Sequence, residues 1–353
     1  MKTGMMLSGI SYVLPERIET NDDLVREFKT WTSEKIYKKT GIMKRHIADV
    51  DKPVSYYLIQ AGKKFFSEHP AVLPSSIDML VVCCEARDYV LPSTACVVHE
   101  ALGLRRDSGA LSFDLGCSGY VYGLAVCKGF IAAGIARRAL LLTGDKVTWY
   151  INEQDKSVRT LFGDGFTATL LEASEDDLVT AFDLGTDGTG AGDIIIEAGE
   201  TAMPLSSETA VPMVNRFGNV HTRENLYMDG RRVLDFAVSE VPASLKRTLD
   251  AAGLSLDDID LIVPHQASAV VLGQLRGKLG LDEERFVTDL EETGNTVSST
   301  IPLALARCAE QGRLKENMKV LITGFGVGLS WGSALIRWRP VKCKNESLCE
   351  TTM

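Results

Sequence analysis

Two distant stretches of the chain follow the same pattern. RALLLTGD at 138–145 is an apolar, strand-like run that ends in a glycine turn, and FGDGFTATLLEA at 162–173 follows it as a second strand. KVLITGFG at 319–326 is followed in the same way by GLSWGSALIRW at 328–338. We interpret this echo as an internal duplication of two similar α/β lobes. The expected division is a first lobe over 1–180, an inserted loop or cap over 181–224, a second lobe over 225–341 and a tail over 342–353.

Apolar runs of strand length alternate with amphipathic stretches of helical length along the chain. Such alternation favours βαβ units and mostly parallel sheets. The predicted strands are 79–84, 111–115, 139–143, 167–171, 261–263, 286–288, 320–323 and 333–338. The predicted helices are 54–68, 95–102, 119–135, 232–252, 267–279 and 302–311.

Charge and hydropathy exclude several functional classes. The chain has 353 residues with 38 Lys and Arg against 47 Asp and Glu, a net charge of −9, which argues against nucleic-acid binding. The most apolar helical stretch, 120–136, is short of the ~20 residues that a membrane span requires. The N-terminal residues show no signal-peptide pattern, so we expect a cytoplasmic protein that does not bind membranes.

Cys117 stands where an apolar strand gives way to a helix, in FDLGCSGYVYGLA. Unpaired backbone N–H groups and the helix dipole at such an elbow favour an anion, which predicts a lowered thiol pKa and a nucleophile. The alternative is a structural cysteine, because free cysteine is among the most buried residue types.

His265 and Asn295 are the other candidates for chemistry. His265 follows the predicted strand 261–263 in DLIVPHQAS, at the carboxyl edge of a sheet, where ligands of open α/β folds gather. Asn295 lies in GNT, and Ser299 or Thr300 could cap the helix that starts near Pro302. A lone histidine is more often structural, and an asparagine after glycine is more often a turn residue.

The glycine loop at 324–328 has the wrong spacing for a dinucleotide or phosphate loop, and it leads into a strand rather than a helix. Its backbone N–H groups could instead face an oxyanion. Near the N-terminus, the turn Thr40-Gly41-Ile42 has Trp31 and a basic stretch around it, formed by Lys38, Lys39, Lys44 and Arg45. They form either a solvated face or a rim that contacts phosphate.

Taken in order, the elbow at Cys117, PHQA at His265, GNT at Asn295 and the closing GFGVGLSWGSALIRW resemble the β-ketoacyl-acyl-carrier-protein synthase III family, which has the thiolase-like fold. The resemblance extends from about residue 7 to residue 339. It also includes LPSTACVVHEALGL at 91–104, LFGDG at 161–165 and MDGRRVLDFAV at 228–238.

The resemblance implies an α/β, five-layered αβαβα fold of two duplicated lobes with mixed sheets, working as a homodimer. Cys117 would accept an acyl group from a thioester, and His265 and Asn295 would stabilise the enolate formed when a malonyl-thioester loses CO₂. Gly326, Gly328 and the N–H of Cys117 would form the oxyanion hole, and Leu91 would reach the partner's acyl pocket. Substrates would be acyl-coenzyme A or acyl-carrier-protein thioesters, the partner acyl carrier protein, with no metal and no permanently bound cofactor.

The donor site departs from the family pattern. Lys35 stands where the family commonly has a tryptophan that stacks on adenine, and Trp31 lies upstream of it. Lys39 and Lys156 stand where arginines are expected. We therefore expect a donor-binding site with Trp31, Lys35, Lys39 and Lys156, weak coenzyme A binding, and a preference for carrier-bound acyl groups.

The preferred interpretation is a decarboxylative condensing enzyme, either initiating fatty acid synthesis or serving a specialised lipid or secondary pathway. One alternative is an acyltransferase of the same fold that moves the acyl group to an alcohol or amine. Another is a non-catalytic subunit that only binds carrier protein, against which the intact Cys117, His265 and Asn295 argue. Asn295 favours condensation because its amide suits an enolate oxygen.

Overall fold

The computed structural model describes residues 3–215 and 217–339. Its strands are β1 (Gly4–Val13), β2 (Arg17–Thr20), β3 (Lys44–Ile47), β4 (Met79–Cys83), β5 (Gly109–Phe113), β6 (Arg138–Asp145), β7 (Gly165–Ser174), β8 (Val179–Thr186), β9 (Ile194–Ile195), β10 (Met213–Val214), β11 (Val220–His221), β12 (Tyr227–Met228), β13 (Leu261–Pro264), β14 (Lys319–Gly326) and β15 (Ser330–Arg337). Its α-helices are α1 (Asn21–Glu27), α2 (Ser33–Thr40), α3 (Val54–Glu68), α4 (Thr94–Ala101), α5 (Gly119–Ala132), α6 (Lys156–Arg159), α7 (Gly230–Ala252), α8 (Ala269–Leu279) and α9 (Thr300–Glu310). Short 3₁₀ helices cover Pro74–Ser76, Val147–Tyr150, Gly188–Gly190, Leu256–Asp258 and Val297–Ser299.

The two main sheets repeat one topology. The first sheet has the order β1-β7-β6-β4-β5, and the second has the order β13-β14-β15-β8. In the first, β6 is parallel to β4 and antiparallel to β7, which is antiparallel to β1. In the second, β14 is parallel to β13 and antiparallel to β15, which is antiparallel to β8. The duplicated lobes and mixed sheets are therefore confirmed, and the expectation of mostly parallel sheets is wrong.

The helices complete five layers. The helices α5 and α9 lie between the sheets, α3 and α4 cover the outer face of the first, and α7 and α8 cover the second. The buried positions of α3 fall on one face, at Val54, Tyr57, Leu58, Ala61 and Phe65, because only that face meets the sheet. By contrast, α5 is apolar on most sides, as a helix between two sheets requires.

Most predicted elements are present with shifted ends, but residues 286–288 form no strand. Phe286 makes only an isolated bridge to Ile262. The prediction also missed β1, whose ten residues include a register shift between Leu7 and Gly9. That bulge breaks the alternation of buried and exposed side chains by which a strand is recognised in sequence.

The expected cap at 181–224 is mainly loops and contains one short antiparallel pair, β10 with β11. Its strand β9 pairs with β12, which lies just beyond the expected end of the cap. The first residues of the expected cap, 181–186, belong instead to β8, which pairs with β15 at the edge of the second sheet. The domain boundaries otherwise stay predictions, and the tail at 342–353 lies outside the described residues. Across the part of the chain that the structure describes, no helix is long and apolar enough to cross a bilayer.

Candidate active site

Cys117 lies in the turn between β5 and α5, directly before Ser118, the N-cap residue of α5. Its side chain is buried. The loop after β14 comes very close to it, because a Cβ atom placed on Gly326 would lie 2.9 Å from the Cys117 sulfur. Because glycine has no Cβ atom, Gly326 permits the close approach of the two lobes at the sulfur.

The environment of Cys117 keeps its thiol protonated. Burial raises the pKa of the Cys117 thiol, and the nearby carboxyl groups of Glu85 and Asp145 raise it further. Hydrogen bonds to the sulfur from the backbone N–H groups of Val327 and of Cys117 itself act in the opposite direction. The expectation of a lowered thiol pKa is therefore wrong for the free protein, since desolvation outweighs the helix terminus.

His265 follows β13, and its backbone N–H donates to the carbonyl of Thr323 in β14 at 2.7 Å. Its Nδ1 lies 2.7 Å from the Thr300 hydroxyl, and its ring meets the Phe325 ring edge-on at 5.4 Å between centroids. Burial lowers the pKa of His265 to about 3. The imidazole is therefore neutral near pH 7 and can offer one N–H to a ligand.

Asn295 is held by both its backbone and its side chain. Its backbone N–H donates to the Leu161 carbonyl at 2.9 Å, and its Oδ1 accepts the N–H of Val297 at 2.9 Å. The second contact turns the amide nitrogen toward His265, where Nδ2 lies 3.4 Å from Nε2. Val297 also packs in one apolar cluster with Cys117, so the structure brings all three predicted catalytic residues to one site.

The contacts of Thr300 differ from the sequence-based expectation. The helix α9 begins at Thr300, and Ser299 makes no side-chain cap. The Thr300 hydroxyl instead faces His265, and it also lies 3.0 Å from the carbonyl oxygen of Val297. A residue expected to cap a helix therefore positions the imidazole.

The glycine loop contributes differently at its two predicted positions. Gly326 packs against Cys117, as described above, whereas a Cβ atom on Gly328 would meet Ser330 at 3.0 Å. The backbone N–H between them, that of Val327, is the one that binds the Cys117 sulfur. The sequence indicated the loop but not Val327, because every residue except proline has a backbone N–H and its side chain therefore gives no signal.

A cavity of about 270 Å³ adjoins the site. Val327 lines it, and Val147, Leu226, Ile194 and Ile196, all lining residues, pack in the same apolar cluster as Cys117. The remaining walls are Glu85, Ala86, Arg87, Asp145, Tyr150, Ile195, Ala198, Gly199 and Glu200. Residues of the inserted cap thus close an apolar space beside the thiol.

Leu91 lies outside this cavity and is 83% exposed, so it contributes nothing to the acyl space of its own chain. Its expected role in the partner's pocket stays a prediction.

A second cavity, of about 620 Å³, brings together the four predicted donor-binding residues Trp31, Lys35, Lys39 and Lys156. The ammonium groups of Lys35 and Lys39 each lie 5.1 Å from the centre of the Trp31 ring. Leu161 lines this cavity and also accepts the N–H of Asn295, so the cavity wall continues into the site. The lysines suit a ligand that carries phosphate, but their ammonium groups lie over the indole and occupy the surface on which a flat ring would stack.

Arg45 has no place on a phosphate rim, because it is fully buried. Its guanidinium donates to Asn21 Oδ1 at 2.8 Å and to the Thr160 carbonyl at 3.3 Å. It therefore fixes the segment that carries Thr160, which lines the donor cavity.

Comparisons with known proteins agree on one family. Residues 112–188 match the family model described as 3-oxoacyl-[acyl-carrier-protein] synthase III, and residues 249–338 match the model of its C-terminal part. The β-ketoacyl-[acyl-carrier-protein] synthase III of Desulfitobacterium hafniense (strain Y51) is 35% identical over 331 residues, which cover 93% of this chain and 96% of the relative.

The enzyme of the same name from Roseiflexus sp. (strain RS-1) is 37% identical over 336 residues, with 94% of this chain and 98% of the relative covered. The chain belongs to the β-ketoacyl-[acyl-carrier-protein] synthase III family. A crystal structure of a 3-oxoacyl-(acyl-carrier-protein) synthase III superposes with a TM-score of 0.93 at 42% identity, over 95% of this chain and all of that one. The fold is therefore thiolase-like, and the chain is a condensing enzyme that transfers acyl groups.

Two carboxyl groups beside the thiol of this synthase were missed in the sequence. Asp145, at the end of β6, accepts the N–H groups of Glu85 at 2.6 Å and Ala86 at 3.3 Å and the hydroxyl of Ser298 at 3.1 Å. Burial raises the pKa of Asp145 to about 7. Glu85 directly follows the strand run MLVVCC, and a charged residue immediately after a fully buried strand was the available signal.

Proposed function

We propose that this synthase condenses an acyl group on Cys117 with a malonyl-thioester, with loss of CO₂, to give a β-ketoacyl product. The observation that carries the proposal is the orientation of Asn295, whose amide faces His265 Nε2 at 3.4 Å within the site of Cys117. Two neutral hydrogen-bond donors that face the same position suit an enolate oxygen, because this oxygen gains its negative charge only during the reaction.

In the first half-reaction, the Cys117 sulfur attacks the carbonyl carbon of an acyl-thioester whose chain occupies the 270 Å³ cavity. The carbonyl oxygen gains negative charge and is stabilised by backbone N–H groups of the loop at 326–328 and of Cys117. The carbon–sulfur bond to the carrier then breaks, and the departing thiolate takes the proton that Cys117 releases. We propose the backbone N–H groups of Gly326 and Val327 as donors to this oxyanion, because both residues lie against Cys117. Gly328 packs against Ser330 instead and lies further from the sulfur.

In the second half-reaction, the malonyl thioester carbonyl accepts hydrogen bonds from His265 and Asn295. The bond to the carboxylate breaks, CO₂ leaves, and its electron pair forms the enolate. The enolate carbon attacks the acyl carbonyl on Cys117, the carbon–sulfur bond to Cys117 breaks, and the β-ketoacyl-thioester leaves. Cys117 departs as a thiolate and takes up one proton from water, which restores the thiol. A neutral imidazole suits this step because it stabilises the enolate oxygen through a hydrogen bond, whereas an imidazolium is acidic enough to protonate the enolate before it attacks.

Donor recognition is proposed for Trp31, Lys35, Lys39 and Lys156, since all four line one cavity that continues to Asn295. Acyl carrier protein is the proposed partner of this surface, where lysines would meet phosphate and acidic side chains. We also propose a homodimer in which the exposed Leu91 of each chain enters the acyl space of the other. Burying a leucine that is 83% exposed would favour such an interface.

The decisive experiment is intact-mass measurement of the protein after incubation with a panel of acyl-thioesters. We expect a stable acyl adduct that maps to Cys117 and disappears in Cys117→Ala, while Cys96→Ala, a change at an exposed cysteine, retains it. Malonyl-thioester is then added, and CO₂ release together with a β-ketoacyl product supports condensation. An adduct on another cysteine, or transfer to an added alcohol or amine without CO₂ release, would contradict the proposal.

A further inference from the structure

The carboxyl group of Glu85 lies against the backbone that leads to the nucleophile. Glu85 follows β4, its side chain is half-buried, and it lines the acyl cavity. A Cβ atom placed on Gly116 would lie 2.8 Å from Glu85 Oε2 and 2.6 Å from Val327, another wall of the cavity. Only a glycine before Cys117 leaves room for this carboxyl group, which therefore sits at the start of the acyl space.

Glu85 has no partner for its side chain among the residues that the structure describes. Asp145 accepts two backbone N–H groups and a hydroxyl, and buried Asp164 likewise accepts the N–H groups of Ala48 at 2.8 Å and Thr148 at 3.1 Å. Glu85 has only the acidic neighbours Asp145 and Asp114, and burial together with them raises its pKa to about 8. A carboxyl group in this setting lacks the donors that every comparable group here receives.

Two other donors line the cavity, the Tyr150 hydroxyl and the Arg87 guanidinium, but neither makes a hydrogen bond to Glu85 in the structure. Arg87 pairs instead with Glu200, through one nitrogen at 2.7 Å. The remaining walls near the thiol are aliphatic, with Ile194, Ile196 and Leu226 among them. A purely aliphatic acyl chain would cover the half-buried Glu85 carboxyl group without giving it a hydrogen bond, which is unfavourable.

We propose that the acyl group carried by Cys117 bears an amino or hydroxyl group near its thioester carbonyl, and that Glu85 binds this group. The inference rests on the proposed function, since it requires the acyl-Cys117 intermediate. An ammonium group would pair with the Glu85 carboxylate, and a hydroxyl would either donate to it or accept from the protonated acid. A site built around such a contact rejects the analogue that lacks it, because a buried polar group is then left unpaired.

The test uses butyryl, 3-hydroxybutyryl and 3-aminobutyryl thioesters of N-acetylcysteamine, which avoid any dependence on the donor cavity. Initial rates of adduct formation on Cys117 are followed by intact mass. We expect the wild type to take one or both polar groups about 10- to 100-fold faster than butyryl. Glu85→Leu should reverse this order. Glu85→Gln should keep a preference for the hydroxyl-bearing acyl group and lose a preference for the amino-bearing one. This variant therefore distinguishes the two acyl groups that Glu85 could bind.

The matched control is Glu172→Gln, which changes a glutamate outside both cavities that already has Arg138 as its partner at 2.7 Å. It should leave the order of the three acyl groups unchanged. Equal rates for all three groups in the wild type would overturn the inference, and so would a uniform loss in Glu85→Leu, which would place Glu85 in proton transfer from Cys117. Absence of every adduct while malonyl-thioester is still decarboxylated would also overturn it. Absence of both reactions would instead refute the proposed function.

Discussion

The amide nitrogen of Asn295 lies 3.4 Å from Nε2 of His265, although the two residues come from different loops of the second lobe. The hydrogen bond from Val297 N–H to Asn295 Oδ1 determines which end of the amide faces the imidazole. A substrate oxygen that faces these two nitrogens would receive two hydrogen bonds once Nε2 carries the imidazole proton, without movement of either side chain. Such prior orientation is what makes hydrogen bonds effective in stabilising a transition state.

Replacement of either donor should separate the two half-reactions. In Asn295→Ala and in His265→Ala we expect the Cys117 adduct to form, while decarboxylation of malonyl-thioester falls by about 10²–10³, the usual loss for one such donor. The measurement is CO₂ release beside adduct formation in the same sample. Decarboxylation at the wild-type rate in both variants would contradict the assignment and favour simple acyl transfer.

Thr300 should act through the imidazole rather than on the substrate. The Thr300 hydroxyl donates to the Val297 carbonyl at 3.0 Å and therefore accepts from Nδ1–H of His265, 2.7 Å away. Nε2 carries the proton that the enolate needs only when this hydroxyl turns and donates to Nδ1 instead. We expect Thr300→Val to lower decarboxylation by up to about 10²-fold, because one enolate donor is lost, and Thr300→Ser to restore it. Acylation of Cys117 is the internal control, and a proportional loss of both activities would indicate a merely structural role.

The raised pKa of Glu85 should make stability depend on pH. Folding raises the pKa of this carboxyl from 4.5 to about 8, so between those values the folded chain binds more protons than the unfolded one. Its contribution to stability is therefore complete below the unfolded pKa and is lost as the pH rises through about 8. Glu85→Gln removes this dependence and should be more stable relative to wild type at pH 9 than at pH 5.

Urea unfolding of both proteins at the two pH values measures this difference. Asp145, whose pKa burial also raises, interacts with Glu85, so its pKa should fall in Glu85→Gln and add to the difference in the same direction. Glu172→Gln provides the control at a partnered carboxyl group. A difference between wild type and Glu85→Gln that is the same at pH 5 and pH 9 would show that Glu85 titrates normally.

The donor cavity should distinguish the two acyl carriers. Lys35 binds phosphate as a point charge and offers no flat surface, and the one indole in the cavity, Trp31, is flanked by two lysines. We expect a higher kcat/KM for one acyl group on carrier protein than on coenzyme A. Lys35→Trp should improve the coenzyme A substrate by about 5- to 150-fold if it restores stacking.

Lys29→Trp, a matched change outside the donor cavity, serves as the control. Equal efficiency on both carriers that Lys35→Trp leaves unchanged would show that Trp31 already supplies the stacking surface.

The sequence predicted Cys117, His265 and Asn295 because each of these reactive side chains stands at a turn that its neighbouring residues indicate. The helix over Val54–Glu68 was predicted with both ends correct, since its buried positions recur at helical spacing. The order of the motifs along the chain was enough to indicate the family, and the echo between residues 138–173 and 319–338 indicated the duplication. Each of these motifs consists of consecutive residues, so it can be recognised from the sequence alone.

Other features came only from tertiary packing. A helix terminus beside Cys117 predicts a lowered thiol pKa, but burial and the carboxyl groups of Glu85 and Asp145 reverse the shift. These two carboxyl groups lie at the ends of other strands, β4 and β6. Thr300 reads as a cap in the sequence, yet its hydroxyl meets His265, 35 residues away. Desolvation and long-range contact depend on which segments the fold brings together, and no local pattern encodes them. The sequence therefore carried the chemistry of each group, while packing decided its protonation and its partner.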